Sequence, residues 1–255
     1  MWPELRARNV TKDFGGLRAV DGVSFTIARG TISGLIGPNG AGKSTLFNVL
    51  AGAIRPSGGQ VVFDGERIDQ LPNYRISSKG LMRTFQIPRP FGGMTVLENL
   101  MLVPAGQTGE QFWNTWLRGS AVRAEERRIR DKARDILEFI GLIRLADEPA
   151  RILSGGQLKL VEIGRALMAD PKMVLLDEPG AGVNPTLLGQ IIERIVTLNE
   201  RGITFLIIEH NMDLIMNLCR PVIVMAAGKL LMEGEPRAVQ SDPRVLDAYL
   251  GGMPA

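Results

Sequence analysis

Hydrophobic positions recur with two different periods along the chain, and the changes of period divide it into three parts. In the first part, an alternating pattern typical of half-buried strands includes Val20, Val23, Phe25 and Ile27. A short apolar run, Ile32–Ile36, enters a glycine-rich turn, and the residues after that turn predict a helix over 43–51. A further strand is predicted over 60–63, closed by the turn pair Asp64-Gly65. We therefore expect this part to be rich in β-structure.

The middle part, 87–152, changes to a helical pattern. One face of a predicted helix collects Ile129, Ala133, Ile136, Leu137 and Ile140, with charged residues on the opposite face. Gly141 follows directly and is predicted to end this helix as its C-cap. The stretch 106–119, which holds Trp113 and Trp116, is assigned to neither a helix nor a strand.

After Ser154, helices and strands alternate. The predicted elements are helix Gly155–Met168, strand Met173–Asp177, helix 185–199, strand 203–208, helix Met212–Leu218, and a hairpin of 222–226 and 229–232 around Ala227-Gly228. Strands that alternate with helices predict a mostly parallel sheet with helices on both faces. The chain is therefore predicted to be one α/β domain, 1–255. Its parts are a β-rich region with part of the core (1–86), a helical insertion (87–152) and the rest of the core (153–255).

The charge and cysteine content narrow the classes of partner. The 30 Lys and Arg and 27 Asp and Glu leave a net charge of only +3, which argues against nucleic acid. The densest basic stretch, 123–134, is interleaved with acidic residues, a pattern typical of a solvated helix face. Cys219 is the only cysteine, so no internal disulfide is possible, which suits a reducing compartment. The apolar runs are far shorter than the ~20 residues that span a bilayer. We expect no nucleic-acid partner and no membrane insertion by this chain itself.

The most specific motif is a glycine-rich phosphate-binding loop, Gly37-Pro38-Asn39-Gly40-Ala41-Gly42-Lys43-Ser44-Thr45. It lies directly after a predicted strand and opens a predicted helix, which is the context a P-loop requires. Glycines let successive backbone N–H groups turn toward phosphate oxygens, and the positive end of the helix adds to the attraction. Lys43 is expected to reach the β- and γ-phosphates of ATP, and the Ser44 hydroxyl to ligate Mg²⁺.

A second motif places two carboxylates at the end of an apolar strand, in Met173-Val174-Leu175-Leu176-Asp177-Glu178-Pro179. A strand ending in Asp-Glu is common on its own, but together with a P-loop it indicates a Walker B segment. Asp177 is then expected near Mg²⁺. Glu178 is expected to act as the general base that polarises the attacking water.

The third motif, Leu153-Ser154-Gly155-Gly156-Gln157, lies at a predicted helix start. Ser154 can cap that helix, and the two glycines leave backbone N–H groups open to an anion. This segment is the signature of the ATP-binding-cassette (ABC) ATPases, and the chain resembles that family along almost its whole length. The resemblance implies a P-loop NTPase core, an antiparallel N-terminal β subdomain and an inserted helical subdomain. It also implies a head-to-tail dimer in which Ser154, Gly155, Gly156 and Gln157 act on ATP held by the other cassette.

The resemblance extends to four further positions. Phe14 occupies the place of an aromatic residue that stacks on adenine, although an ordinary core phenylalanine is the alternative. Gln86 resembles the glutamine of the family's Q-loop, which lies near Mg²⁺ and the attacking water. The segment 181–184 takes the place of the D-loop, with Asn184 where aspartate is usual. His210, the only histidine, follows a predicted strand at the place of the switch histidine that orients water and γ-phosphate; a structural role is the alternative.

Two classes of biological role fit such a cassette. One is the ATPase subunit of a membrane transporter; the other is a soluble ATPase, of which an iron–sulfur assembly cassette is the hardest to exclude. Segments such as Phe14-Gly15-Gly16-Leu17-Arg18, Glu209-His210-Asn211-Met212 and Asp247-Ala248-Tyr249-Leu250-Gly251 resemble the ATPase subunit of branched-chain amino-acid permeases. The ATPases of lipopolysaccharide export and of urea permeases share several of these segments.

The permease resemblance also implies partners and a location. The partners would be a second cassette, identical or related, integral membrane permease subunits and, indirectly, a solute-binding protein. The location would be the cytoplasmic face of the plasma membrane, as a peripheral subunit. The transported solute is expected to be chosen by those other chains.

Overall fold

The computed structural model describes residues 4–84, 90–104 and 119–250. These residues group into two compact units. The first draws on the described residues of Met1–Gln86, Lys172–Ala181 and Ile195–Ala255, and the second on those of Ile87–Pro171 and Gly182–Arg194. None of the described helices is both long enough and apolar enough to span a membrane.

The first unit contains a four-stranded antiparallel sheet. Its strands are β1 (Leu5–Phe14), β2 (Leu17–Ile27), β4 (Gly58–Phe63) and β5 (Glu66–Arg67), in the order β2-β1-β4-β5. The alternating pattern predicted in β2 is confirmed, because the four residues of that pattern, Val20, Val23, Phe25 and Ile27, are buried. Val20 and Val23 are three residues apart because the pairing register with β1 shifts between them, and Gly22 in that interval has φ +65°. The bulge returns both valines to the buried face.

The first unit also contains a six-stranded sheet in the order β10-β9-β3-β8-β7-β6. Its strands are β3 (Ile32–Ile36), β6 (Leu81–Arg83), β7 (Met173–Asp177), β8 (Thr204–Ile208), β9 (Val222–Ala226) and β10 (Lys229–Gly234). Only β10 is antiparallel to its neighbour, so the predicted mostly parallel sheet is confirmed. Every residue of β3, β7 and β8 is buried, as expected for central parallel strands covered on both faces.

One hydrophobic core joins the two sheets of this unit. Phe47 and Leu50 of helix α1 (Lys43–Leu50) lie in the same cluster as Phe63 of the antiparallel sheet and Leu206 of β8. The helix that follows the phosphate-binding loop is therefore fixed by burial at its apolar face. The other helices assigned wholly to this unit are α2 (Asn73–Ser78), α7 (Met212–Leu218), α8 (Pro236–Ser241) and α9 (Pro243–Leu250).

The second unit is helical in its described residues. It contains α3 (Val96–Met101), α4 (Gly119–Phe139), α5 (Gly155–Met168) and the first turns of α6 (Pro185–Glu200), with short 3-10 turns at Ile143–Leu145 and Ala150–Ile152. α3, α4 and α5 pack on one another. The predicted C-cap is confirmed: Gly141 has φ +75°, and its N–H donates to the carbonyl of Glu138 at 3.0 Å.

The two compact units divide the chain differently from the sequence-based parts. Because α5 packs against α3 and α4, the residues of 155–171 lie with the helical unit, whereas the sequence division groups them with 153–255. Trp113, Trp116 and most of the stretch 106–119 lie outside the described residues.

Candidate active site

Three parallel strands bring the predicted chemistry to one edge of the six-stranded sheet. β3 ends at Ile36, directly before the phosphate-binding loop. β7 ends at Asp177, which pairs with Ile208 at the end of β8. The turns after these strands carry the loop, Glu178 and His210, so residues far apart in the chain meet at the carboxyl edge, where open α/β sheets bind ligands.

A cavity of about 690 Å³ opens at this edge. Its lining residues are Leu17, Arg18, Ala19, Asn39, Gly40, Ala41, Gly42, Lys43, Ser44, Thr45, Glu178, His210, Ala227 and Gly228. The structure thus brings together most of the predicted loop with the predicted base and switch histidine. Phe14, Gly37, Pro38 and Asp177 are not among its lining residues.

The loop backbone requires glycine at two positions. Gly37 has φ +150° and Gly42 has φ +91°. A Cβ atom would collide with the carbonyl oxygen of Met225 at Gly37 and with that of Ala19 at Gly42. Both collisions are with backbone, which cannot rotate away, so these glycines let the loop pass close to neighbouring strands while keeping its own conformation.

Lys43 begins α1 and folds back into the loop. Its Nζ donates hydrogen bonds to the carbonyl oxygens of Gly37 at 2.7 Å and Pro38 at 2.9 Å. Burial lowers the pKa of Lys43, and the nearby carboxylate of Glu178 opposes that shift. The ammonium group therefore lies within the loop, where phosphate oxygens could replace the two carbonyls as stronger, charge-assisted acceptors.

Asp177 is held by a buried charged network. Its Oδ2 accepts a hydrogen bond from Arg83 Nη2 at 3.0 Å, and only 6% of the Asp177 side chain is exposed. Arg83 Nη1 donates to Asn48 Oδ1 of α1, and the guanidinium carbon lies 5.2 Å from the centre of the Phe47 ring. Arg83 thus connects the end of β7 to the helix that carries Ser44. The sequence motif Arg83-Thr84-Phe85-Gln86 points to Gln86, but the role of its arginine was not predicted.

Glu178 and His210 lie next to each other at the wall of the cavity. Glu178 Oε1 is 3.0 Å from His210 Nε2, and Glu178 is mostly buried whereas His210 is half exposed. The Glu178 backbone has φ +50°, a left-handed conformation, and its N–H donates to the carbonyl of Ile208 at 2.9 Å. A left-handed non-glycine residue is strained and is often found at functional sites. The pair has the geometry to hold and move a proton.

Phe14 is exposed rather than part of the core. It ends β1 with 49% of its surface accessible, and Lys12 Nζ lies 5.0 Å from its ring centre. Its pairing partner Leu17 is also exposed and lines the cavity. The alternative of a core phenylalanine is therefore wrong, while stacking on adenine stays a prediction. Leu17 was missed as a lining residue because nothing in its local pattern marks it.

The signature segment caps α5 in the helical unit. Ser154 Oγ accepts the N–H of Gln157 at 3.3 Å, and Gln157 Oε1 accepts the N–H of Ser154 at 2.9 Å, which together form a capping box. A Cβ atom on Gly155 would meet nothing within 4 Å, whereas one on Gly156 would collide with Leu187. The cap predicted for Ser154 is confirmed, and the backbone at Gly155 lies open.

Two other predicted positions have different outcomes. The side chain of Asn184 accepts the N–H of Leu187 at 2.9 Å and so caps α6, which gives a local reason for asparagine at this position. Gln86 lies outside the described residues. At the other end of the chain, burial raises the pKa of the Tyr249 phenol, and the nearby backbone of Gly37 opposes this shift. α9 therefore reaches the start of the phosphate-binding loop.

Comparison with known families gives two matches. The ABC transporter family model matches residues 20–181, and the model of the branched-chain amino acid ATP-binding cassette transporter matches residues 229–254. A probable branched-chain amino acid transport ATP-binding protein of Archaeoglobus fulgidus is 43% identical over 253 residues, covering 98% of this chain and 96% of the relative. A high-affinity branched-chain amino acid transport ATP-binding protein of Pseudomonas aeruginosa is 38% identical over 250 residues, covering 98% of both.

Solved structures give the same family. A nucleotide-free ATP-binding cassette from an ABC transporter superposes with a TM-score of 0.84 at 42% identity, covering 96% of this chain and 98% of that one. The ADP conformation of an ATP-binding cassette of an ABC transporter superposes with a TM-score of 0.83 at 41% identity, covering 98% of this chain and 100% of that one. A dimeric bacterial ABC transporter cassette superposes with a TM-score of 0.76 at 25% identity, covering 91% of this chain and 99% of that one. The predicted α/β cassette fold and ATPase activity are confirmed, and the chain belongs to the ABC transporter family as its ATP-binding, ATP-hydrolysing cassette.

Proposed function

We propose that this chain is the ATP-hydrolysing subunit of a transporter that imports branched-chain or other hydrophobic amino acids. The observation that supports ATP hydrolysis most directly is the cavity that combines Lys43 and its loop with the Glu178–His210 pair. The names of the relatives support the class of solute, as does the family match at residues 229–254, which lies outside the general cassette match.

In the proposed site the loop residues 37–45 bind the phosphates of ATP. Residues 39–45, which include the start of α1 and Lys43, line the cavity, so their backbone N–H groups and the ammonium of Lys43 would neutralise phosphate charge. Phe14 and Leu17, exposed at the end of the β1–β2 hairpin, would contact the adenine ring. Apolar contact with a flat base needs no charged partner, which fits these side chains.

The donor set of the site fits Mg²⁺. The Ser44 hydroxyl and the Asp177 carboxylate are hard oxygen ligands, and Gln86 would add an amide oxygen. Among residues 4–84, 90–104 and 119–250 no cluster of three or more His, Cys, Asp and Glu side chains forms a metal site, so phosphate oxygens and water would complete the shell. When bound, Mg²⁺ would neutralise charge on the phosphates.

Hydrolysis is assigned to Glu178 and His210. Glu178, as general base, would accept a proton from the water that attacks the γ-phosphate, and His210 would orient that water and the phosphate. The 3.0 Å contact between the two side chains keeps them ready for this step. Because each is fixed by a turn after a central strand, little reorganisation is needed when ATP enters.

The complete site would form in a head-to-tail dimer. Ser154, Gly155, Gly156 and Gln157 would contact the γ-phosphate held by the other cassette, with the open backbone at Gly155 facing it. The second cassette would be identical or related, and the pair would lie on the cytoplasmic face of the plasma membrane beneath integral permease subunits. A solute-binding protein would act on the permease and not on this chain.

The chemical assignment is tested with Glu178→Gln and Lys43→Ala. Glu178→Gln keeps the shape of the side chain and removes the base, so ATP binding should persist, a closed dimer should accumulate and turnover should nearly vanish. Lys43→Ala should weaken nucleotide binding strongly. Wild-type turnover in the first variant would refute the base assignment, and unchanged affinity in the second would refute the phosphate cradle.

The transport assignment is tested by purifying the tagged chain from detergent-solubilised native membranes and identifying the co-purifying chains by mass. Two permease subunits and a second cassette are expected, and an amino-acid-binding protein encoded with them would support the class of solute. Co-purification of an export complex or a urea permease would refute amino-acid import. Recovery of soluble scaffold proteins alone would refute transport.

A further inference from the structure

We propose that Glu209 is a positioning residue for ATP hydrolysis, which fixes the turn after Glu178 and the turn that carries His210 relative to each other. The proposal rests on the roles of Glu178 and His210 given above and adds a residue that makes no contact with ATP in that scheme. Its basis is a buried carboxylate that joins two segments through backbone N–H groups.

The Glu209 carboxylate accepts hydrogen bonds from both turns. Only 4% of the residue is exposed. Its Oε1 accepts the N–H of Gly180 at 2.6 Å, while its Oε2 accepts the N–H of His210 at 3.0 Å and that of Asn211 at 3.3 Å. One side chain therefore binds the segment after β7 with one oxygen and the segment after β8 with the other.

These hydrogen bonds lie next to a strained segment of the backbone. Glu178 is left-handed, with φ +50°, and the N–H of Ala181 donates back to the carbonyl of Glu178 at 3.2 Å to form a tight turn. A left-handed glutamate persists only when the surroundings fix it. Gly180 lies inside this turn, so its bond to Glu209 limits how far the Glu178 side chain can shift from His210.

The charge of Glu209 is essential to the arrangement. Two carboxylate oxygens accept from three donors, and hydrogen bonds to an ionised acceptor are stronger than those to a neutral one. In Glu209→Gln the volume is nearly unchanged, but one oxygen becomes an NH₂ group, which would face an N–H donor instead of accepting from it. One of the two turns then loses its anchor. This substitution separates the effect of the acceptor from that of packing.

The test compares steady-state ATP hydrolysis by the full chain, at concentrations that allow dimer formation, in wild type, Glu209→Gln and a control. The matched control is Asp69→Asn, because Asp69 is another buried carboxylate. It accepts a hydrogen bond from the backbone N–H of Val61 and forms an ion pair with Arg67. We expect Glu209→Gln to lower kcat roughly 10- to 100-fold, as a small misplacement of catalytic groups does. ADP affinity and KM should stay within about threefold of wild type. Asp69→Asn should keep kcat even if it unfolds at lower temperature.

Hydrogen exchange supplies a reading that does not depend on turnover. In Glu209→Gln, peptides covering 178–184 and 209–214 should both exchange faster than in wild type, whereas Asp69→Asn should leave both unchanged. Wild-type kcat in Glu209→Gln would overturn the proposal. An equal loss of kcat in Asp69→Asn would do so too, since the loss would then follow from general destabilisation.

Two further variants keep the result interpretable. If Glu209→Gln does not fold, Glu209→Asp keeps the charge but is too short to reach both turns, so reduced kcat is expected and wild-type kcat overturns the proposal. Glu178→Gln is measured alongside. If Glu178→Gln retains turnover, the assignment of Glu178 as the base is refuted. If Glu178→Gln loses turnover while Glu209→Gln turns over normally, only the role of Glu209 is refuted.

Discussion

Replacing Arg83 should reveal how strongly the buried charge of Asp177 depends on a single partner. The Arg83 side chain is 18% exposed. Its guanidinium donates hydrogen bonds to Asp177 at 3.0 Å and to Asn48, and lies over the ring of Phe47. Methionine at this position would keep much of the packing of the long side chain against Phe47 while removing every donor. Arg83→Met therefore removes the ion pair together with the hydrogen bond to Asn48, and comparison with Asp177→Asn separates the two contributions.

The expected cost is large because Asp177 is only 6% exposed. Removing one member of a buried ion pair leaves the other charge without compensation, which costs about 3–5 kcal/mol of unfolding free energy. In a chain of this size each kcal/mol lowers Tm by roughly 2–4 °C, so Tm should fall by roughly 6–20 °C. In Arg83→Met/Asp177→Asn neither charge remains, and the total cost should fall to about 1 kcal/mol. The double variant also gains stability because it no longer buries Arg83 Nε, which has no hydrogen-bond partner among the described residues.

The assay is a double-mutant cycle measured by urea unfolding of wild type, Arg83→Met, Asp177→Asn and the double variant, followed by circular dichroism. The double variant should be more stable than Arg83→Met, with a coupling energy of about 2 kcal/mol or more between the two sites. If the two single costs simply add, the ion pair does not compensate the charge of Asp177, and the reasoning from burial is refuted.

Three further predictions concern other parts of the chain. Gly42→Ala should abolish nucleotide binding, measured by titration with a fluorescent ADP analogue, because the new Cβ collides with the Ala19 carbonyl; wild-type affinity would contradict the role of the close approach. Burial, reinforced by the charge of Glu209, raises the pKa of Cys219 to about 12. Iodoacetamide at pH 8 should therefore modify this thiol only after unfolding, as followed by mass spectrometry, and modification of the native protein would contradict this prediction. Gly155→Ala should leave unfolding free energy within about 0.5 kcal/mol of wild type, because its Cβ meets open space, yet should reduce ATP hydrolysis at dimer-forming concentrations; unchanged hydrolysis would argue against contact of Gly155 with the other cassette.

The elements predicted most accurately are those whose residues carry a complete local signal. Strands β3 and β7 and helix α5 have the predicted bounds, because each strand is a short, mostly apolar run next to a recognisable motif and a capping box defines the start of the helix. β6 was not predicted, since its three residues are too few to show a periodic pattern and form a strand only by pairing with β7. The C-terminal helices α8 and α9 were also missed, although each begins with a proline, a recognised signal at the first helical position.

The candidate site divides in the same way between local and long-range information. The loop around Lys43, the pair Asp177-Glu178 and His210 could be predicted because short segments display their chemistry. The partners of Asp177 and Gly180 could not, because Arg83 lies 94 residues from Asp177 and Glu209 lies 29 residues from Gly180 along the chain. That these pairs are neighbours can be recognised only from the strand order β3-β8-β7-β6. A single sequence does not reveal this order.

Two charged side chains, Arg83 and Glu209, each join two segments at this edge of the sheet. Parallel strands end together, and the backbone groups in the turns beyond them have no ladder partners, so other donors and acceptors must satisfy them. Glu209 meets this need, because its carboxylate accepts backbone N–H groups of the turn after β7 and of the turn after β8. Arg83 instead joins the side chains of Asp177 and Asn48, and so connects the end of β7 with α1. Each uses an ionised group that contacts two segments at once, which a neutral side chain of similar size does less well. The segment Asp177–Gly180 is therefore fixed from two sides, by the helix that carries Ser44 and by the turn that carries His210. In the proposed function, this segment therefore connects the residues assigned to phosphate binding with those assigned to hydrolysis within one cassette.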